Sequence, residues 1–121
     1  MPRANRRRRA AASLVDAAPV FAALGDATRL RIVARLCSGG PASIARLTDD
    51  ADVTRQAVTK HLQALEQAGL VRSDRSGRER IWELETARLA RARRCLDQIS
   101  IQWDDTLERL RAFVEEDERS G

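Results

Sequence analysis

The chain has 121 residues, 43% of them apolar, which suits one domain with a true core and excludes a disordered polypeptide. Lys and Arg outnumber Asp and Glu by 22 to 18, and the net charge of +4 favours an anionic partner. Two cysteines without paired C-x-x-C motifs exclude a disulfide scaffold and a zinc ribbon, and no run of about 20 apolar residues could form a membrane span, so a cytoplasmic location with no membrane partner is expected.

Residues 1–13 lack periodicity and carry five arginines, Arg3 and Arg6 to Arg9, so they are expected to form a flexible basic arm ahead of a domain over 14–121. Such an arm either follows DNA phosphates and the minor groove or simply solubilises the chain. The basic start followed by a short apolar stretch broken at Asp16 makes a poor secretory signal. A first helix is expected over 16–24, with Pro19 in its first turn and Gly25 ending it. Asp26 then caps a second helix, DATRLRIVARLC, with Leu30, Val33, Leu36 and Cys37 as its core stripe. The SGGP run at 38–41 breaks that helix, and Ser43 to Asp50 gives a short third one burying Ile44 and Leu47.

The run TRQAVTKHLQALEQAGLV, Thr54 to Val71, reads as a helix with two different faces. At about 100° per residue, Ala57, Val58, Leu62 and Leu65 share one stripe. Arg55, Gln56, Thr59, Lys60 and Gln63 lie on the other side. Thr54 is the expected N-cap; Gly69 can take the left-handed conformation that ends the helix, with Leu70 folding back as the C-cap contact. The outward side chains are of the types that hydrogen-bond base edges and phosphates in a major groove. Two extended runs follow, 70–75 and 80–85, joined by SGRE, with Gly77 supplying the positive φ of a tight hairpin and Arg75, Arg78 and Arg80 on or beside its loop. Arg80 has an alternative use, pairing with Glu83 or Glu85.

Residues 86–118 contain no Gly or Pro and space Leu89, Ala92, Leu96, Ile99, Trp103, Leu107, Leu110 and Val114 by threes and fours. That stripe is longer than a small domain can cover and calls for a second copy of itself. Leu96, Ile99, Trp103, Leu107 and Leu110 are the expected dimerisation residues. Charge is polarised along the chain: ten basic residues face five acidic ones between Val53 and Leu96, and from Asp97 onward acids lead eight to three.

Helix, helix, short helix, helix, hairpin and long helix, in that order, make a mainly α chain with a small β-hairpin: a winged helix-turn-helix with terminal dimerisation helices at 16–24 and 86–118. The stretches FAALGDATRLRIVARLCSGG and VTRQAVTKHLQALEQAGLVRSDRSGRERIWEL resemble the bacterial ArsR-type transcriptional repressors, from about Phe21 through Val114. The segment WDDTLERL, Trp103 to Leu110, looks like the subset of that family lacking the usual metal ligands. The resemblance implies a homodimeric, sequence-specific DNA-binding regulator, a repressor on a pseudo-palindromic double-stranded operator. It places Arg55, Gln56, Thr59 and Lys60 at the groove; Gln63, one turn further on, is expected to reach a phosphate, the N-cap Thr54 joins the DNA-binding set, and the wing arginines Arg75, Arg78 and Arg80 are expected on the backbone or minor groove. His61 lies by angle within the apolar stripe, where a packed side chain is expected, while the family's TKHL pattern brings it near the DNA backbone.

With two cysteines, one histidine and no Cys-x-Cys in the third helix, neither a regulatory metal nor a cofactor is expected. Cys37 and Cys95 read first as small buried hydrophobes. The resemblance adds a second reading, an oxidant-responsive pair, with Cys37 about a turn late and Cys95 near the start of the last helix instead of its end. No Ser-His-Asp spacing, phosphate-binding loop or strand–Gly-rich–helix unit is present, so the chain is not expected to be an enzyme. An RNA-binding winged helix and a protein-interaction module using the long helix are the two alternatives.

Overall fold

The computed structural model describes residues 15–120. The expected basic arm, with Arg3 and Arg6 to Arg9, lies outside them. Helix α1 covers residues 15–24 and buries Ala17, Val20 and Ala23. Because the helix already runs from residue 15, Pro19 stands a full turn inside it and not in its first turn; the ring there removes one intrahelical hydrogen bond.

Asp26 starts α2 (Ala27–Gly39) as expected: its carboxylate accepts the Arg29 N–H at 3.0 Å. Gly40, at φ +74°, ends it by donating its own N–H to the Leu36 carbonyl at 3.0 Å. The core stripe differs from expectation. Ile32 and Leu36 are buried with Val33 packed against them, whereas Leu30 and Cys37 are exposed. Leu36 and Val33 belong to both candidate stripes; Ile32 and Cys37 lie about 140° apart around the axis, so one must leave the core when the other enters.

A two-residue strand, β1 (Ala42–Ser43), precedes α3 (Ile44–Ala51), whose N-cap Ser43 accepts the Arg46 N–H at 3.3 Å. This strand was not expected: two residues show no alternation to read. The Arg35 guanidinium on α2 meets Asp50 on α3 at 2.6 Å, tying the two helices together at their exposed edge.

In α4 (Arg55–Gln67), Thr54 accepts the Ala57 N–H at 3.1 Å, and Val58, Leu62 and Leu65 are buried. The helix closes with both bonds of a Schellman motif, Leu70 N–H to Leu65 carbonyl and Gly69 N–H to Glu66 carbonyl, each 2.9 Å, with Gly69 at φ +75° and Leu70 fully buried.

Strands β2 (Val71–Ser76) and β3 (Glu79–Leu84) are antiparallel, and β1 joins them in the order β1-β3-β2, so the expected hairpin is the larger part of a three-stranded sheet. The loop is only Gly77 and Arg78, since Ser76 and Glu79 are paired. Among the loop residues Gly77 alone has positive φ, +67°, the pattern of a type II′ turn. Val71 and Trp82 turn their side chains into the core with Ala42.

Helix α5 (Thr86–Ser120) has 35 residues and is about 52 Å long. Its entry is fixed by the Glu85 N–H on the Leu70 carbonyl at 2.8 Å. Only Ala92 and Cys95 are buried, and from Leu96 to Ser120 every residue is exposed. None of the described helices is long and apolar enough to cross a membrane.

Candidate nucleic-acid interface

The arrangement is built on the connection between α3 and α4. Asp52 ends α3 at φ +51°, a left-handed conformation that an Asp side chain tolerates, and two residues later Thr54 caps α4. The three-residue turn Asp52–Thr54 therefore redirects the chain sharply, and the burial of Leu47 beneath Val58 and Leu62 completes a helix-turn-helix.

Because α4 buries Val58, Leu62 and Leu65, its opposite face is forced outward. Thr54, Arg55, Gln56, Lys60 and Gln63 are exposed, and Thr59 is half-buried. The Thr59 hydroxyl donates to the Arg55 carbonyl at 2.9 Å, which fixes its rotamer and leaves its oxygen free to accept. His61 stands apart from this group. It is half-buried on the flank toward α2, its Nδ1 3.9 Å from the Asp26 carboxylate. Asp26, expected only as a helix cap, thus serves both the start of α2 and the side of α4. The Arg29 backbone N–H, with the His61 charge a lesser contributor, holds the Asp26 carboxyl below the usual carboxylate range.

The hairpin sorts its arginines by face. Arg72 lies opposite Glu83 in the register, its Nε 2.6 Å from that carboxylate and its Nη1 2.5 Å from Glu85. The Glu83 hydrogen bond, and then the charges of Glu83 and Glu85, raise the Arg72 guanidinium above its ordinary value. The alternative reading that paired these carboxylates with Arg80 is corrected, for a simple reason. Residue 80 is an odd number of positions from 83 and from 85, so Arg80 points to the other face of β3. That face runs outward from buried Val71 and Trp82 to Arg75 and Arg80, which the register sets directly opposite one another. Arg78 caps the loop between them. All three are exposed, and among the described residues none of them forms an ion pair.

The remaining expected residues fall into two groups. Leu96, Ile99, Trp103, Leu107 and Leu110 are 45–62% exposed along α5, and Ile101 and Phe113, outside the expected stripe, are 61% and 68% exposed. Cys37 is exposed, which overturns its reading as a core residue, and Cys95 is buried. Among the described residues no three His, Cys, Asp or Glu side chains cluster as a metal would require.

Helix-turn-helix, three-stranded wing and flanking helices together define a winged helix-turn-helix protein. The family model of the helix-turn-helix domain matches residues 24–74. Among curated proteins, the chain is 41% identical over 76 residues to the HTH-type transcriptional regulator Rv2034 of Mycobacterium tuberculosis, covering 63% of this chain and 70% of that one. It is 43% identical over 68 residues to the uncharacterised HTH-type regulator YuzN of Bacillus subtilis, covering 51% of this chain and 74% of YuzN. Among solved structures, an ArsR-like transcriptional regulator from Rhodococcus sp. RHA1 superposes with a TM-score of 0.71 at 36% identity, over 84% of this chain and 95% of the other. The homodimeric winged helix-turn-helix DNA-binding domain Mb0332 of Mycobacterium bovis, a possible ArsR-family regulator, gives 0.59 at 28% identity, over 78% and 85%. The chain belongs to the ArsR family of helix-turn-helix transcriptional regulators.

Proposed function

We propose that the protein is a repressor that binds a pseudo-palindromic operator as a homodimer, with Arg55, Gln56, Thr59 and Lys60 of α4 in the major groove. Thr54, His61 and Gln63 then lie at the margins of that contact, close to phosphate, and Arg75, Arg78 and Arg80 of the wing reach the backbone or the adjacent minor groove. The observation that carries this reading is the wing. Arg75 and Arg80 face each other across two strands at a cost in hairpin stability, while Arg72 a few residues away is fully paired. Two like charges held together without carboxylate partners suit a polyanion.

The dimer rests on two supports: the exposed apolar stripe of α5 from Leu96 to Leu110, and the homodimeric state of the Mycobacterium bovis relative. Packing of α1 and α5 against their symmetry mates would hold two α4 helices at a fixed separation, one duplex turn of about 34 Å or a multiple of it. Regulation then needs only a change in that separation, because both half-sites must be engaged together. The oxidant reading of Cys37 and Cys95 has no separate support, since the two thiols occupy different environments.

The test is selection of bound fragments from random duplexes, followed by gel shift at matched salt against structured RNA, and promoter occupancy with transcription in vitro. Two inverted half-sites, weak RNA binding and reduced transcription are expected. Equal affinity for RNA, or no retention of any duplex at low salt, would overturn the reading.

A further inference from the structure

A cleft between α1 and α5 carries charges that neither the DNA contacts nor the core uses. It encloses about 660 Å³, a volume typical of small-molecule sites. Arg88, Arg91, Arg94 and Gln98 line it from α5 and Asp16 lines it from α1, while Val20 and Cys95, 1% and 4% exposed, supply apolar surface beneath them. Three guanidiniums against one carboxylate leave the lining two charges positive. Among the described residues neither Asp16 nor any of the three arginines forms an ion pair. Three cations within two turns of one helix repel one another, and the acid across from them is bound to none of them.

Two observations set this cleft apart from the surfaces already assigned. The four α5 residues that line it and the apolar stripe centred on Trp103 point about 130° apart around the helix, so pairing along the stripe does not require the cleft. The DNA-reading side chains lie in the first half of α4, whereas Arg88 meets that helix at its other end. A Cβ on Gly69 would collide with Nε and Cδ of Arg88, so this arm lies directly on the left-handed glycine that closes α4. Arg88 thus belongs to the cleft and to the end of the recognition helix at once.

We propose that the cleft binds a small hydroxylated organic acid. Arg91 and Arg94 hold its carboxylate, since a guanidinium fork matches a carboxylate with two parallel hydrogen bonds. The apolar body rests on Val20 and Cys95, and a hydroxyl at its far end donates to Asp16, which as an ionised carboxylate can only accept. Asp16 therefore sets the class of ligand: a second carboxylate at that end is repelled, and a hydrogen-bond donor is wanted. Arg88 is drawn toward the bound anion and away from Gly69, which loosens the closure of α4 and lowers the affinity for DNA. This last step rests on the DNA-binding reading above; the binding site itself does not.

Para-hydroxybenzoate, benzoate and para-hydroxybenzyl alcohol, titrated into the full-length protein and followed by heteronuclear NMR, test the site. The hydroxy acid should saturate, with shifts confined to α1, the first turns of α5 and Gly69; benzoate should bind about threefold or more weaker, and the uncharged alcohol should not saturate. Arg91→Ala/Arg94→Ala should weaken the hydroxy acid by about tenfold or more, and Asp16→Asn should erase its advantage over benzoate. No saturation by either acid, equal binding of the alcohol, unchanged affinity in the double variant with its fold intact by circular dichroism, or a hydroxyl preference that survives Asp16→Asn overturns the inference. The link to DNA is read by fluorescence anisotropy on a selected duplex. Saturating hydroxy acid should lower the affinity of the parent by about fivefold or more. Arg88→Met keeps an arm on Gly69 without a charge to be drawn, so it should still bind the acid through Arg91 and Arg94 but show no such loss. A parent that binds the acid with unaltered DNA affinity overturns the role of Arg88, whereas a parent that binds the acid and retains no duplex at all sinks the DNA reading and leaves the site standing.

Discussion

Replacing Arg75 by threonine should make the fold more stable and the DNA complex weaker. Arg75 and Arg80 are directly paired in the antiparallel register, so their Cα atoms are only about 4.5–5.5 Å apart and their side chains leave the same face. Opposed like charges cost what a good cross-strand pair gains, about 0.2–1 kcal/mol, and threonine removes the repulsion while suiting a strand. The expected rise in Tm is up to about 5 °C at low salt, shrinking as salt screens the pair in the parent. On DNA the same change deletes one phosphate contact per subunit and two per dimer. The slope of log affinity against log salt should then flatten by about 1.8, so a rise from about 50 to 200 mM salt weakens the parent roughly tenfold more than the variant. Calorimetry on the free protein and fluorescence anisotropy on an operator duplex at four salt concentrations would measure both quantities. A variant less stable than the parent, or one whose salt slope is unchanged, would refute the argument that this pair is retained for a polyanion.

Three further outcomes follow from other parts of the molecule. Gly69→Ala forces a side chain into φ +75° and into the space occupied by the Arg88 arm, so it should cost about 1–2 kcal/mol or more in urea unfolding, and an unchanged midpoint would contradict the Schellman closure. Asp26→Asn keeps the N-cap but removes the charge. Because the folded carboxyl titrates below its unfolded value of about 4, its contribution is present above that pH and lost as pH falls through the folded value; the variant should therefore be slightly less stable than the parent near pH 7, with the difference vanishing in acid, as followed by circular dichroism. Trp103→Glu should raise the dimer dissociation constant by about a hundredfold, because both copies place a charge on the shared stripe, and a dimer persisting in sedimentation would count against that stripe.

The parts of the fold that local chemistry controls were legible in the residues. Asp26, Thr54, Gly69 and Leu70 act at the helix ends as their side chains dictate. The register of strands 70–75 and 80–85 already opposes Arg75 to Arg80 and Arg72 to Glu83, so the pairing of Arg72 could have been found by carrying the alternation two residues further. What local chemistry leaves open was not legible. Helix α2 carries Leu30, Ile32, Val33, Leu36 and Cys37 over about 160° of its circumference, wider than the strip it buries, and only the position of α4 and the sheet chooses Ile32 over Leu30 and Cys37. β1 exists because β3 has a free edge beside it, a tertiary circumstance with no trace in a two-residue segment.

The candidate site follows the same division. The outward face of α4 could be read because its inward face is wholly apolar, and a helix with one committed side has no freedom about the other. The wing needed the structure, since whether an arginine is paired or open depends on strand face and not on proximity in sequence. In α5 the single chain leaves unsatisfied what the residues specify. Leu96, Ile99, Trp103, Leu107 and Leu110 are spaced for packing, and no part of the described chain covers them.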